Sequence, residues 1–142
     1  MRFLNSFLLS VISRQTGSEI YMNTHKFRKL NVWQRAIQFV SLIYRITAKF
    51  PREEKYGLTD QIRRAAVSIC LNIAEGSGSG SDAEFSRFLR IAQRSAYEVI
   101  AALEIAINLK MADDKVINNV ISEVDQISAM ISGLIKSLKA DS

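Results

Sequence analysis

Three arginines, Arg87, Arg90 and Arg94, are spaced i, i+3 and i+7, and Tyr97 continues the row. On a helix this spacing stacks side chains along one flank. Such a row can grip successive phosphates, and an aromatic ring beside it can stack on a base. Arg63 and Arg64 add charge on a neighbouring segment. The alternative is a solvated face whose arginines pair with Glu84 and Glu98. A second polar set, Gln61, Arg64, Ser68, Asn72 and Glu75, recurs at spacings of three or four beside an apolar face. It reads either as exposed polarity or as an interfacial network whose members satisfy one another, with Glu98 able to join.

Other chemistry finds little to work with. The single cysteine, Cys70, cannot form an intrachain disulfide, and its apolar neighbours make it a core residue rather than a nucleophile. With one histidine, His25, the chain cannot assemble the three or four Cys or His ligands of a usual zinc site. The Gly/Ser stretch at 76–81 lacks the Gly-Lys-Ser/Thr ending and the preceding strand of a phosphate-binding loop. Glu53/Glu54 and Asp113/Asp114 fall at helix starts or turns, where capping and solvation explain them. No catalytic residue, metal or cofactor is expected. The net charge of +5 is unevenly spread: residues 1–64 carry 12 Lys/Arg against 4 Asp/Glu, and residues 65–142 carry 7 against 10. A basic first half suits a polyanionic partner or, more simply, a solvated basic face.

The elements that must position these residues are helices. Of the 142 residues 48% are hydrophobic, 23% are charged and only one is Pro, which fits one soluble domain with a real core. A first helix is predicted over 31–50, capped by Asn31 with Gln34 three residues on, and ended by Pro51. Trp33, Ala36, Ile37, Val40, Ile43 and Tyr44 follow helical spacing, and Val32, Phe39, Ile46 and Phe50 widen the apolar surface. A second helix is predicted over 57–75, with Ile62, Ala65, Ala66, Ile69 and Ile73 inward and Gly76 opening a flexible Gly/Ser linker. The third opens on the capping box Ser81-Asp82-Ala83-Glu84 and runs to about residue 109. The fourth starts at Asp113 or Asp114, and Ile117, Val120, Val124, Ile127, Ile131, Leu134 and Leu138 alternate spacings of three and four. Short connections at 51–56, 76–81 and 110–113 favour antiparallel neighbours. The fold class is therefore all-α, an antiparallel up-down-up-down four-helix bundle over residues 26–142.

Residues 1–25 form an N-terminal extension. Met1–Ile12 opens like a signal peptide, but Asn5 and Ser6 break the apolar run and no A-x-A cleavage site follows. The run is too short to span a bilayer. Met22 directly precedes the strong pattern, so the extension reads as a start-site artefact or a disordered tail, and the bundle as cytoplasmic.

The stretch Gln61-Ile-Arg-Arg-Ala-Ala-Val-Ser-Ile-Cys-Leu-Asn-Ile-Ala-Glu-Gly76 resembles the signature of the four-helix-bundle family of 23S rRNA intervening-sequence proteins. Val32-Trp33-Gln34, Phe85, Phe88-Leu89, Ile91-Ala92 and Ser95–Glu98 resemble it as well, so the likeness covers about residues 27–138. Cys70 stands where the family often has Pro, which argues against a kink in the second helix. Ser79 stands where a basic residue is frequent, and Arg94 where Gly is frequent, so the basic surface is rearranged here. The family is similar to the accessory variability protein of diversity-generating retroelements. That likeness implies a barrel-shaped homopentamer that binds nucleic acid and a reverse transcriptase, with no enzymatic role. Two functions follow as expectations. One is a homo-oligomer binding structured RNA or DNA through Arg63, Arg64, Arg87, Arg90 and Arg94. The other is an adaptor docking an acidic partner such as a reverse transcriptase. A third and plainer reading is a structural bundle whose apolar first helix serves oligomerisation alone.

Overall fold

The computed structural model describes residues 25–140, so the expectations for residues 1–24 lie outside the described residues. Four helices make up the bundle: α1 (Asn31–Thr47), α2 (Leu58–Ser77), α3 (Asp82–Asn108) and α4 (Asp114–Ala140). Short 3-10 turns, Lys26–Lys29 and Arg52–Glu54, precede α1 and α2. No strand occurs among the described residues, and the all-α four-helix architecture is as the apolar periodicity requires.

Each helix start is settled locally, and not always by the expected residue. Asn31 is the first helical residue of α1 rather than its cap; Leu30 takes the capping position with no side-chain bond. Gln34 instead reaches back past it, donating from Nε2 to the Arg28 carbonyl at 2.8 Å. The cap of α2 is Gly57, which has no side chain to offer, and the Glu54 carboxylate substitutes by accepting from the Leu58 N–H at 3.1 Å. Ser81 caps α3 by accepting from the Glu84 N–H at 3.1 Å, but the Glu84 carboxylate turns to Arg87 and leaves the box half formed. Asp113 caps α4 through Oδ1, which accepts from Lys115 N–H at 2.8 Å and Val116 N–H at 3.4 Å.

Two ends also differ from expectation. α1 stops at Thr47, whose hydroxyl donates to the Ile43 carbonyl at 2.7 Å, and Phe50 folds back into the core from the following turn. α2 does not end at Gly76 but runs unbroken past Cys70 to Ser77. Gly76 is buried against α3: a Cβ there would lie 2.7 Å from Phe88 Cβ and 2.8 Å from Phe85 Cδ2. The remaining connection is bonded rather than slack, with Ser79 Oγ donating to the Gly76 carbonyl at 2.6 Å and Gly80 in the left-handed region at φ +88°.

The core is one cluster drawn from all four helices. In α1 its stripe is Val32, Ala36, Phe39 and Ile43, while Ile37 and Tyr44, expected inside, are each 44% exposed. α1 is thus rotated so that Phe39 faces the centre, and Thr47 rather than Tyr44 ends the buried row. α2 and α3 share the most extensive pairing, across Ala65, Ala66, Ala92 and Ala96, whose small side chains let the helices close up. α1 and α4 share the sparsest seam. In α4 the buried row continues from Ile131 to Ile135, with Leu134 and Leu138 only half-buried at its edges.

Candidate nucleic-acid interface

The five arginines do not form one surface. Arg63 lies at the α1–α2 seam, where Nε donates to the buried Thr47 hydroxyl at 2.9 Å and the guanidinium sits 4.5 Å above the Tyr44 ring. That is the geometry of a helix-to-helix brace. Arg64, on the outer side of α2, pairs with Asp60 at 2.9 Å one turn away. Arg87, Arg90 and Arg94 project from α3, all exposed. Arg87 binds Glu84 at 3.1 Å and covers the Phe88 ring at 4.5 Å. That hydrogen bond, and secondarily the charge of Arg87, holds the Glu84 carboxyl below its ordinary range and raises Arg87 above its own. Arg90 and Arg94 have no ion-pair partner among the described residues, and Tyr97 is exposed beside them.

The second polar set is divided between two contacts at the α2–α3 seam. Gln61 Nε2 donates to Glu98 Oε1 at 2.6 Å. Seven residues further along α2, the Ser68 and Ser95 hydroxyls meet at 2.8 Å, and Asn72 Nδ2 donates to the Ser68 carbonyl and hydroxyl at 2.8 and 3.0 Å. Glu75 stays exposed at the outer edge. The seam therefore carries directional bonds between helices that alanine contacts alone would leave free to slide.

Two further polar ties carry no strong sequence signal. Arg35 donates from Nε and NH2 to Glu123 Oε1 at 3.0 and 2.7 Å, and from NH2 to Gln126 Oε1 at 2.8 Å, closing the sparse α1–α4 seam. Gln93 Nε2 donates to Ser132 Oγ at 2.6 Å across α3 and α4. A charge at the edge of the apolar stripe of α1 was the sole hint of the first. The second joins two ordinary polar residues whose helices meet only in the fold. No buried side-chain nitrogen or oxygen among the described residues is left without a partner.

Cys70 is buried, and burial pushes its thiol up from 9.0 to about 11. A raised thiol pKa leaves little thiolate at neutral pH, and thiolate is the reactive form. Alkylation at pH 8 is expected to be slow in the native protein and fast in urea. The sign of the linkage is that the folded state holds this proton more tightly. Its contribution to stability is intact below pH 9 and fades as the pH rises from 9 towards 11. A urea titration across that range, compared with Cys70→Ala, measures it; native labelling as fast as that of a free thiol would contradict the burial.

Among the described residues no three His, Cys, Asp or Glu side chains group as a metal site, and no helix is long and apolar enough to cross a membrane. A cleft of about 730 Å³ lies at the bundle end where α2 passes to α3. His25, Lys26, Phe27, Gly78, Ser81 and Leu138 are among its walls. A narrower groove beside it is lined by Ser86, Arg87, Arg90 and Lys139.

Comparison with known proteins agrees with this geometry. A solved protein of unknown function from the S23 ribosomal protein family of Bacteroides thetaiotaomicron superposes with a TM-score of 0.69 at 25% identity. The match covers 74% of this chain and 95% of that one. No curated protein matches. The family model described as 23S rRNA-intervening sequence protein matches residues 28–133, from the turn before α1 to the last turns of α4, and the chain belongs to that family.

Proposed function

We propose that this chain is a non-enzymatic, homo-oligomeric bundle of the cytoplasm that binds structured RNA or DNA through the basic surface of α3. The observation that carries the reading is the exposed row of Arg87, Arg90 and Arg94, two of which have no acidic partner among the described residues. Guanidinium groups without an ion pair have none to break on meeting phosphate, and they gain charge-assisted hydrogen bonds and counterion release. Membership in a family named for 23S rRNA intervening sequences makes RNA the first ligand to try.

Support for self-association comes from α1 and α2, where Ile37, Tyr44 and Leu71 are each 44–55% exposed on adjoining helices. Exposed apolar side chains grouped in this way favour a protein contact. A pentamer is the form suggested by resemblance to the accessory variability protein. In a gel-shift series with 23S rRNA fragments and duplex DNA, binding should weaken steeply with salt. Absence of any shift at about 50 mM salt, where such contacts are strong, removes the nucleic-acid reading. Light scattering should report more than one copy, and Leu71→Glu should lower that number; a clean monomer removes the oligomer.

One observation favours a second reading. Tyr97 and Ile105 on the outer side of α3 are 58% and 50% exposed, which suits a protein as well as a base. In that case the face docks an acidic partner such as a reverse transcriptase. A reverse transcriptase gene and template repeat beside this gene would favour the adaptor, and a position inside an rRNA gene would favour RNA.

A further inference from the structure

Cations gather at one end of the bundle as well as along α3. α1 and α3 begin at this end, and α2 and α4 finish there, so His25, Lys26, Leu30, Gly78, Asp82 and Leu138 are among the walls of a single cleft. Three separated stretches of sequence bring charge to this end of the bundle. Lys26, Arg28 and Lys29 are exposed on the turn before α1. Arg87 and Arg90 come from the early turns of α3, and Lys136 and Lys139 from the last turns of α4. Among the described residues the acids nearby are Glu75, Asp82 and Glu84, of which Glu84 is tied to Arg87. The far end of the bundle is different. Its connections interleave the signs as Arg52, Glu53, Glu54, Lys55 and as Lys110, Asp113, Asp114, Lys115.

The placement of Lys26, Arg28 and Lys29 works against the helix they precede. The first turn of α1 contains no acid, and cations at a helix N-terminus meet the positive end of its dipole. A bound polyanion would relieve that repulsion. The two grooves at this end adjoin: the cleft beside Lys26 and the groove beside Arg87, Arg90 and Lys139 share Asp82 and Leu138 as walls. Along α3 in the other direction the field reverses: beyond Arg94 the exposed positions include Glu98 and Glu104.

We infer that the phosphodiester backbone of a nucleic acid crosses the end of the bundle, from the turn before α1, over Asp82 and Leu138, into the groove of Arg87, Arg90 and Lys139. Among the described residues Asp82 is the one acid in the walls of this path, and it weakens binding there. This inference rests on the nucleic-acid reading above and extends its footprint from the start of α3 across the end of the bundle.

The test uses the full chain with a 23S rRNA hairpin and a DNA duplex of the same sequence, followed by fluorescence anisotropy over a salt series. The triple variant K26Q/R28Q/K29Q should lose roughly tenfold or more in affinity and lower the salt slope by about two to three. R90Q should weaken binding and lower the slope by about one. Asp82→Asn should bind more tightly than the wild type, whereas K55Q/K110Q, in the exposed connections at the far end of the bundle, should change affinity less than about twofold, as a substitution outside the contacts does. All of these positions are exposed, and thermal melts confirm that each variant folds. Loss of binding in R94Q/Y97A with the triple variant and Asp82→Asn both unchanged overturns the end-on path and keeps the α3 flank. A wild-type chain that binds neither nucleic acid overturns both readings. RNA and DNA bound alike identify the phosphate backbone as the ligand, and a preference for one names the strand that follows this path.

Discussion

Phe39→Ala should cost about 4 kcal/mol, a large share of the stability of a domain this size. The ring is 1% exposed and lies at the centre of the cluster joined by all four helices. Truncation removes its transfer free energy and leaves a cavity that α1 cannot close without losing the Arg35–Glu123 contact at 2.7 Å. Ile37→Ala, two residues away but 44% exposed, should stay within about 1 kcal/mol. Urea denaturation at constant m-value compares the two. Equal losses would mean that α1 is rotated differently from the structure.

Gly76→Ala should destabilise by about 2 kcal/mol although Ala is the better helix former by about 1 kcal/mol. The added Cβ would sit 2.7 Å from Phe88 Cβ, an atom fixed by its own backbone that cannot swing aside. The α2–α3 pair must then separate where it is tightest. Gly133 is the internal control. It is also helical, in α4, but a Cβ there meets nothing within 4 Å. Gly133→Ala should therefore stabilise by about 0.5–1 kcal/mol. Opposite shifts in Tm for the same substitution would separate steric from conformational effects, and a stabilised Gly76→Ala would show that α2 and α3 are less close than described.

The contrast between these glycines marks what a sequence reading can reach. Both stand in helices, and a local rule gives Gly76 the role of helix stop because a Gly/Ser run follows it. What holds Gly76 inside the helix is Phe88, which local pattern does not bring near. The rotation of α1 has the same origin. Two overlapping apolar stripes, one through Phe39 and one through Ile37 and Tyr44, satisfy helical spacing equally well. Tertiary pairing chooses between them, through Arg63 bound to Thr47 on one side and Arg35 bound to Glu123 on the other. The number and order of helices were legible because each apolar period is long and each break carries Pro, Gly or Asp. The arginine row was legible as a row. That Arg63 is a brace, and that Lys26 and Lys139 line adjoining grooves with Arg90, depends on which helix ends meet.

An even number of antiparallel helices has a practical result for anyone handling this protein. His25 and Ala140 leave the bundle at the same end, and that end is the basic one. A purification tag or fluorescent fusion joined directly at either of these two residues would start beside the cleft and bring its own charge to it. Binding constants from tagged protein would report the tag and the cleft together. The connection between α3 and α4, at residues 110–113, lies at the opposite end. A short reporter sequence inserted there would leave the basic end clear.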